Sequence, residues 1–194
     1  MKVIGITGGI GSGKSIICSV IEKIGFPVFY SDKEAKEILV SDEEVINKLT
    51  SLIGEDLYRD GVFHKEILAN KIFKEPSIKE KVNSIIHPRV RERFSQWADT
   101  QNSSLVFNEA AILFETGMYK NYDATVLVTA PEPIRIYRAM KRDQTSKEAI
   151  EDRIKNQWSD EQKKKLADHI ILNDDETPVM PQLEKVLLSL NINL

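Results

Sequence analysis

The plainest chemistry in the sequence lies in one run, Gly8-Gly9-Ile10-Gly11-Ser12-Gly13-Lys14-Ser15, which fits the pattern G-x-x-x-x-G-K-[ST] from Gly8 to Ser15. Glycines let successive backbone N–H groups curl around a phosphate chain, and the N-terminus of a following helix adds partial positive charge there. In such a loop the lysine, here Lys14, bridges the β and γ phosphates, and the hydroxyl, here Ser15, ligates Mg²⁺. The flanks suit it: residues 3–7 read as a strand, and Ile16, Ile17, Val20, Ile21 and Ile24 recur at helical spacing. A dinucleotide-binding reading would rest on Gly9-x-Gly11, but Lys14 stands where its third glycine belongs. The loop is therefore expected to bind a nucleoside triphosphate.

The rest of the chain narrows the class. Neither Asn-Lys-x-Asp nor Asp-x-x-Gly occurs, which argues against a GTPase, and the strand-like residues 105–107 run into Asn108-Glu109 rather than the Asp usual in a motor ATPase. A small kinase remains. It needs a base or orienting group for the acceptor, mobile cations over the phosphates, and an acceptor pocket. Asp32, just after the second strand, is the candidate base; by position it suits a helix dipole equally well. Arg135, Arg138 and Arg142, spaced by three and four residues, place three guanidiniums along one helical face. Such forks suit phosphoryl oxygens, although the same pattern also fits a solvated helix.

The elements that must position these residues are legible from apolar patterning. Residues 3–7, 27–30, 105–107, 124–128 and 169–172 are short runs apolar on both faces, as buried parallel strands require, with helical segments between them. An α/β doubly wound sheet follows. From 32 to about 103 only helical patterns occur, broken at Gly54, Asp60-Gly61, Pro76 and Pro88, so a helical insertion is expected beside the core. Ser/Thr-x-x-Glu/Gln pairs mark helix starts at Ser31/Glu34, Ser41/Glu44, Ser77/Glu80, Thr145/Glu148 and Ser159/Gln162. After Ser41, the residues Val45, Ile46, Leu49, Leu52 and Ile53 share one face.

Composition sets the outer limits. The 194 residues are 41% apolar and 29% charged, enough for one core without disulfide or metal staples. A single Cys18 excludes an internal disulfide, and the three histidines share no ligand spacing. The net charge of −3 argues against a nucleic-acid coat, yet residues 133–165 hold ten Lys/Arg against six Asp/Glu. That segment invites a small anionic partner. No run of about 18 uncharged apolar residues occurs, and the start of the chain lacks signal-peptide zones, so a cytoplasmic address with no membrane partner is expected.

Taken in order, these residues resemble dephospho-CoA kinases, the enzymes that phosphorylate the ribose 3′-hydroxyl in the last step of coenzyme A synthesis. The resemblance rests on Thr7 to Ser15, Ser31-Asp32, Asp60-Gly61, His87-Pro88, Leu113-Phe114-Glu115 with Gly117, Arg138-x-x-x-Arg142-Asp143, Arg153-Ile154-x-x-Gln157, and Ala167-Asp168-x-x-Ile171-x-Asn173. It implies a P-loop three-layer sandwich: a core over 1–31 and 96–194 with a five-stranded parallel sheet, a helical CoA-binding insertion over 32–95, and a lid over 133–157. It assigns ATP to Gly8, Gly9, Gly11, Ser12, Gly13, Lys14, Ser15 and Ile16, with Mg²⁺ at Ser15 and Asn173 near the adenine. By the same carry-over Asp32 is the base, Arg138 and Arg142 are lid arginines acting with Lys14, and Asp32, Lys65, His87 and Glu115 meet dephospho-CoA. Read as residues alone, His87 suits a domain boundary and Asn173 a strand cap equally well.

Some positions depart from the family pattern. Lys65 stands where Arg is common, Ile16 where Thr is common, Ala111-Ile112 where Pro-Leu is usual, and Glu109 where Asp is usual. The alternative from the same fold is another small-molecule nucleoside or nucleotide kinase. A nucleic-acid role ranks last, since Tyr137 and Trp158 are the basic segment's only aromatics. A monomer is the default expectation.

Overall fold

A computed structural model describes residues 1–192 and divides them into two compact units, residues 1–29 with 101–192, and residues 30–100. The first unit is built on a five-stranded parallel sheet of order β2-β3-β1-β4-β5. Its strands are β1 Lys2–Thr7, β2 Val28–Tyr30, β3 Leu105–Glu109, β4 Ala124–Thr129 and β5 His169–Leu172. These are the apolar runs of the sequence, with β3 two residues longer than its apolar part. Every residue of β3 and β4 is buried, as a sheet covered on both faces demands. β1 lies at the centre, pairing Ile4 with Phe107 of β3 and with Ala124 of β4. Ligands of such sheets bind outside the carboxyl ends of the strands, where strand order reverses. The loops after β1, β3, β4 and β5 meet that requirement.

The helices of this unit are α1 Lys14–Lys23, α6 Glu132–Asp143, α7 Lys147–Lys155, α8 Asp160–Lys164 and α9 Val179–Ser189. α1 buries Ile17, Cys18 and Ile21. α8 opens with the expected capping box, Ser159 accepting from the Gln162 N–H while the Gln162 side chain accepts from the Ser159 N–H. α7 does not start where expected. Gln144 turns left-handed (φ 50°) to end α6, so the cap falls to Ser146, which accepts from the Ala149 N–H, rather than to Thr145.

The second unit holds α2 Ser31–Ser41, α3 Glu43–Ile53, α4 Lys65–Lys74 and α5 Pro76–Asp99, with a 3-10 segment at Glu55–Gly61. α3 buries Val45 and Leu49, and the rest of its expected apolar face is partly buried. Three starts differ from expectation. Ser31 is the first residue of α2 rather than its cap, Ser41 is the last, and α5 begins at Pro76, where proline's missing N–H costs nothing. Pro88 also fails to break the helix. α5 runs through it for 24 residues, because Ile78, Val82, Ile86 and Val90 bury one continuous stripe on both sides of the proline. That burial outweighs the one backbone hydrogen bond proline removes.

Asp42 caps α3 in place of Ser41, accepting from the Val45 N–H at 3.1 Å and from Arg89 Nε and Nη2 at 2.9 and 2.7 Å. Burial pushes its carboxyl up, but the bonds from Arg89 and Val45 and the charges of Arg89 and Arg93 together hold it below the ordinary range. A depressed folded pKa means that this stabilisation is complete above the unfolded value, about 3.9, and is lost as pH falls through the folded value. Asp42→Ala is expected to cost about 1–2 kcal/mol at neutral pH, read by urea denaturation, with the difference from the parent shrinking below about pH 4. An unchanged midpoint at pH 7 would contradict the cap.

Candidate active site

The phosphate loop joins β1 to α1 as its sequence requires. Gly11 (φ 75°) and Gly13 (φ 89°) occupy the left-handed region, and Gly13 caps α1, aiming the first N–H groups of that helix into the loop. A Cβ at Gly13 would collide with the Asn173 amide, and one at Gly11 with the Arg135 carbonyl. Only glycine satisfies both the turn and the close approach.

Lys14 Nζ donates to the Gly8 carbonyl at 2.9 Å and lies 3.8 Å from Glu109 Oε1. Glu109 ends β3 and is buried, so the strand sets a carboxylate beside the loop lysine. The Asn173 side chain donates to the Ser12 carbonyl at 2.9 Å, and its backbone N–H to the Thr129 carbonyl at 2.8 Å. Asn173 thus ties the loop to the ends of β4 and β5. Arg138 Nη1 donates to the Asn173 carbonyl at 2.9 Å, and Nη2 pairs with Asp175. Its guanidinium therefore reaches the Gly13 end of the loop.

Arg142, further along α6, is exposed and makes a two-pronged pair with Asp143 at 2.6 and 3.0 Å. Arg153 also donates to Asp143, at 2.6 Å, and these two guanidiniums hold that carboxyl far below the usual range. Arg135 leaves the stripe altogether. It is buried, pairs with Asp160 at 3.1 Å, and donates through Nε to the Ile10 carbonyl at 3.0 Å.

Glu115 is engaged within its own unit. Its Oε1 accepts from the Trp158 N–H at 3.2 Å and lies 3.0 Å from Nζ of Lys163, which is fully buried. Ile16 is exposed near the start of α1, and Ser15 is the second residue of that helix. Cys18 is an unreactive core residue, since burial and the nearby Glu109 push its thiol up to about 12. Beside the loop, a cleft of about 420 Å³ is lined by Pro131, Glu132, Arg135, Gln157, Trp158 and Lys164.

Asp32, Lys65 and His87 belong to the helical unit. Asp32 is exposed in the first turn of α2, Lys65 is exposed at the start of α4, and His87 is half-buried in α5. Burial, with Arg91 nearby, lowers the His87 pKa, so its imidazole is neutral at pH 7.

The donor set suits a nucleotide carrying its own metal. Lys14 reaches the Gly8 end of the loop and Arg138 the Gly13 end, while Ser15 offers a single hydroxyl. Among the described residues no three His, Cys, Asp or Glu side chains gather to hold an ion. Mg²⁺ needs few protein ligands when phosphates and water complete its shell.

No feature of the sequence points Asp160 or Lys163 to a site role; spacing groups Arg135 with Arg138 and Arg142 as cations for the phosphates, and Glu109 stands out only where Asp is usual. Glu109 had a positional signal, an acid at the end of a central strand; the pairings of Arg135 and Lys163 had none.

Comparison with known proteins gives the family. The family model for dephospho-CoA kinase matches residues 2–178. A dephospho-CoA kinase of Bacteroides fragilis is 41% identical over 185 residues, 95% of this chain and 90% of the relative. A crystal structure from Thermus thermophilus superposes with a TM-score of 0.85 at 30% identity, covering 98% of this chain and 96% of that one. A dephospho-CoA kinase from Campylobacter jejuni superposes at 0.66 with 26% identity, covering 97% and 95%. The chain belongs to the dephospho-CoA kinase family, whose members transfer a phosphoryl group from ATP in coenzyme A biosynthesis.

Proposed function

We propose that the phosphate loop holds ATP while the helical unit holds dephospho-CoA, and that the γ-phosphoryl passes to the ribose 3′-hydroxyl to give CoA and ADP. The observation that carries this assignment is the convergence of Lys14, Glu109, Asn173 and Arg138 on the glycine loop at the carboxyl edge of the sheet. Asp32 takes the 3′-hydroxyl proton as its oxygen attacks phosphorus, and ADP leaves with the bonding pair on its β-phosphate oxygen. Lys14 spans the β and γ phosphates, its approach set by Glu109. Arg138 and Arg142, on α6 of a lid over 133–157, neutralise the charge on the oxygens as the bond breaks. Arg142 must exchange Asp143 for phosphate, which makes it the more mobile of the pair. Mg²⁺ held at Ser15 would draw charge from the β and γ oxygens. Lys65 and His87 would contact the acceptor, His87 as a neutral hydrogen-bonding group. The enzyme would work in the cytoplasm; no helix among the described residues is long and apolar enough to cross a membrane.

Thermal shift separates this acceptor from its rivals. At a hundredfold excess over its dissociation constant, dephospho-CoA is expected to raise the melting temperature by about 5–10 °C, with AMP and adenosine giving less. A larger shift with AMP or a nucleoside would instead favour a nucleotide or nucleoside kinase.

A further inference from the structure

Ile10, at the tip of the phosphate loop, has every group it owns engaged by the segment proposed as the lid. Its N–H donates to Gln157 Oε1 at 3.0 Å, and its carbonyl accepts from Arg135 Nε at 3.0 Å. Its side chain packs on Ile136, Ala139 and Ile150, with Met140 and Ile154 beside them. Arg135 lies in the first turn of α6, and Gln157 follows the end of α7, so the two contacts come from the two feet of one helical hairpin. The turn between those helices, residues 144–146, is the end they leave untied.

Arg135 is itself fixed. Its Nη1 pairs with Asp160, and the other oxygen of Asp160 accepts from the Thr129 hydroxyl at the end of β4. Arg135, Asp160 and Thr129 are all buried. The guanidinium also fills the space a Cβ at Gly9 would take, and the Arg135 carbonyl fills that space at Gly11. At Gly9 and Gly11 the loop is therefore walled by one arginine, anchored through Asp160 to the sheet.

We infer that Arg135, with Gln157, is a positioning residue that holds the phosphate loop in its phosphate-binding shape and fixes both feet of the lid to the loop tip. A buried cation costs free energy unless its partners are well placed, and these bonds aim it at one backbone carbonyl of a loop whose amides must all point one way. Closure then bends the hairpin at its free end, carrying Arg142 and leaving the two feet in place.

The inference rests on the reading of Gly8 to Ser15 as the ATP cradle, so Lys14→Met is measured alongside. ATP dissociation constants are determined by calorimetry with Mg²⁺, at a temperature where circular dichroism shows each variant folded. Arg135→Lys keeps a cation for Asp160 but loses the fork that reaches Ile10, and Gln157→Leu removes the acceptor for the Ile10 N–H. Each is expected to weaken ATP roughly tenfold, with dephospho-CoA binding unchanged. Gln157→Glu restores an acceptor and is expected to recover most of that loss. Arg135→Met would give a larger effect; if it does not fold, the other variants decide. Parent-like ATP affinity in Arg135→Lys and Gln157→Leu, with only a lower melting temperature, would overturn the inference, provided Lys14→Met has lost ATP. Normal ATP binding by Lys14→Met would overturn the cradle reading and the clamp with it.

Discussion

Arg138→Ala is expected to lower kcat by about 10³–10⁵-fold, the range for an arginine that neutralises charge in phosphoryl transfer. The side chain is mostly buried and is held by the Asn173 carbonyl and Asp175 at the Gly13 end of the loop. On the proposed reading it would meet the phosphates from a nearly fixed position, so part of its effect falls on the ground state, and the KM for ATP is expected to rise as well. Arg142 gives a useful contrast. More than half exposed and paired with Asp143 and, through it, with Arg153, it would have to be drawn onto the phosphates to act as proposed. Arg142→Ala is therefore expected to lower kcat more than it raises the KM for ATP, as for a contact made mainly in the transition state. Steady-state kinetics over both substrates separates the two patterns. Parent kcat in Arg138→Ala, or a pure KM effect in Arg142→Ala, would contradict the assignment.

Asp32→Asn is expected to lower kcat by about 10²–10⁴-fold while ATP affinity stays within about twofold, because a positioned base contributes by that order and Asp32 is not among the residues proposed to hold ATP. The competing role for Asp32 is charge complementation at the start of α2, worth about 0.3–1 kcal/mol. The two roles leave different traces. A helix-end charge lost to Asn would lower the melting temperature slightly and leave turnover alone, whereas a base lost to Asn stops turnover at any temperature where the protein is folded. Normal turnover in Asp32→Asn would remove the catalytic role.

Much of the core was legible because its signals are local. The five strands are runs apolar on both faces, and the loop's glycines announce a backbone that must turn left-handed while approaching other atoms. Helix starts were less legible. A Ser three residues before an acid is a capping box only if the chain turns there, and at Ser41 the burial of Asp42 beside Arg89 moves the cap one residue onward. Pro88 misled for a related reason: its effect on one hydrogen bond is local, while the stripe of Ile78, Val82, Ile86 and Val90 that overrides it spans the whole helix.

The basic segment shows the limit most clearly. Its ten cations suggest a field aimed at an anion, yet Arg135 and Lys163 lie inside the protein, opposite Asp160 and Glu115. Charge counted along the chain carries no information about which side chains turn inward. Spacing along α6 placed Arg135 with Arg138 and Arg142; only the position of Asp160 and of the Ile10 carbonyl separates it from them.

The central claim is that ATP loses its γ-phosphoryl to the 3′-hydroxyl of dephospho-CoA at this site. Its most direct test is to incubate the protein with ATP, Mg²⁺ and dephospho-CoA, follow ADP release, and locate the new phosphate by phosphorus NMR. ADP release is expected to require dephospho-CoA, with one CoA formed per ADP and a 3′-phosphomonoester in the product. ADP release indifferent to dephospho-CoA, or phosphate on any other oxygen, would contradict the claim.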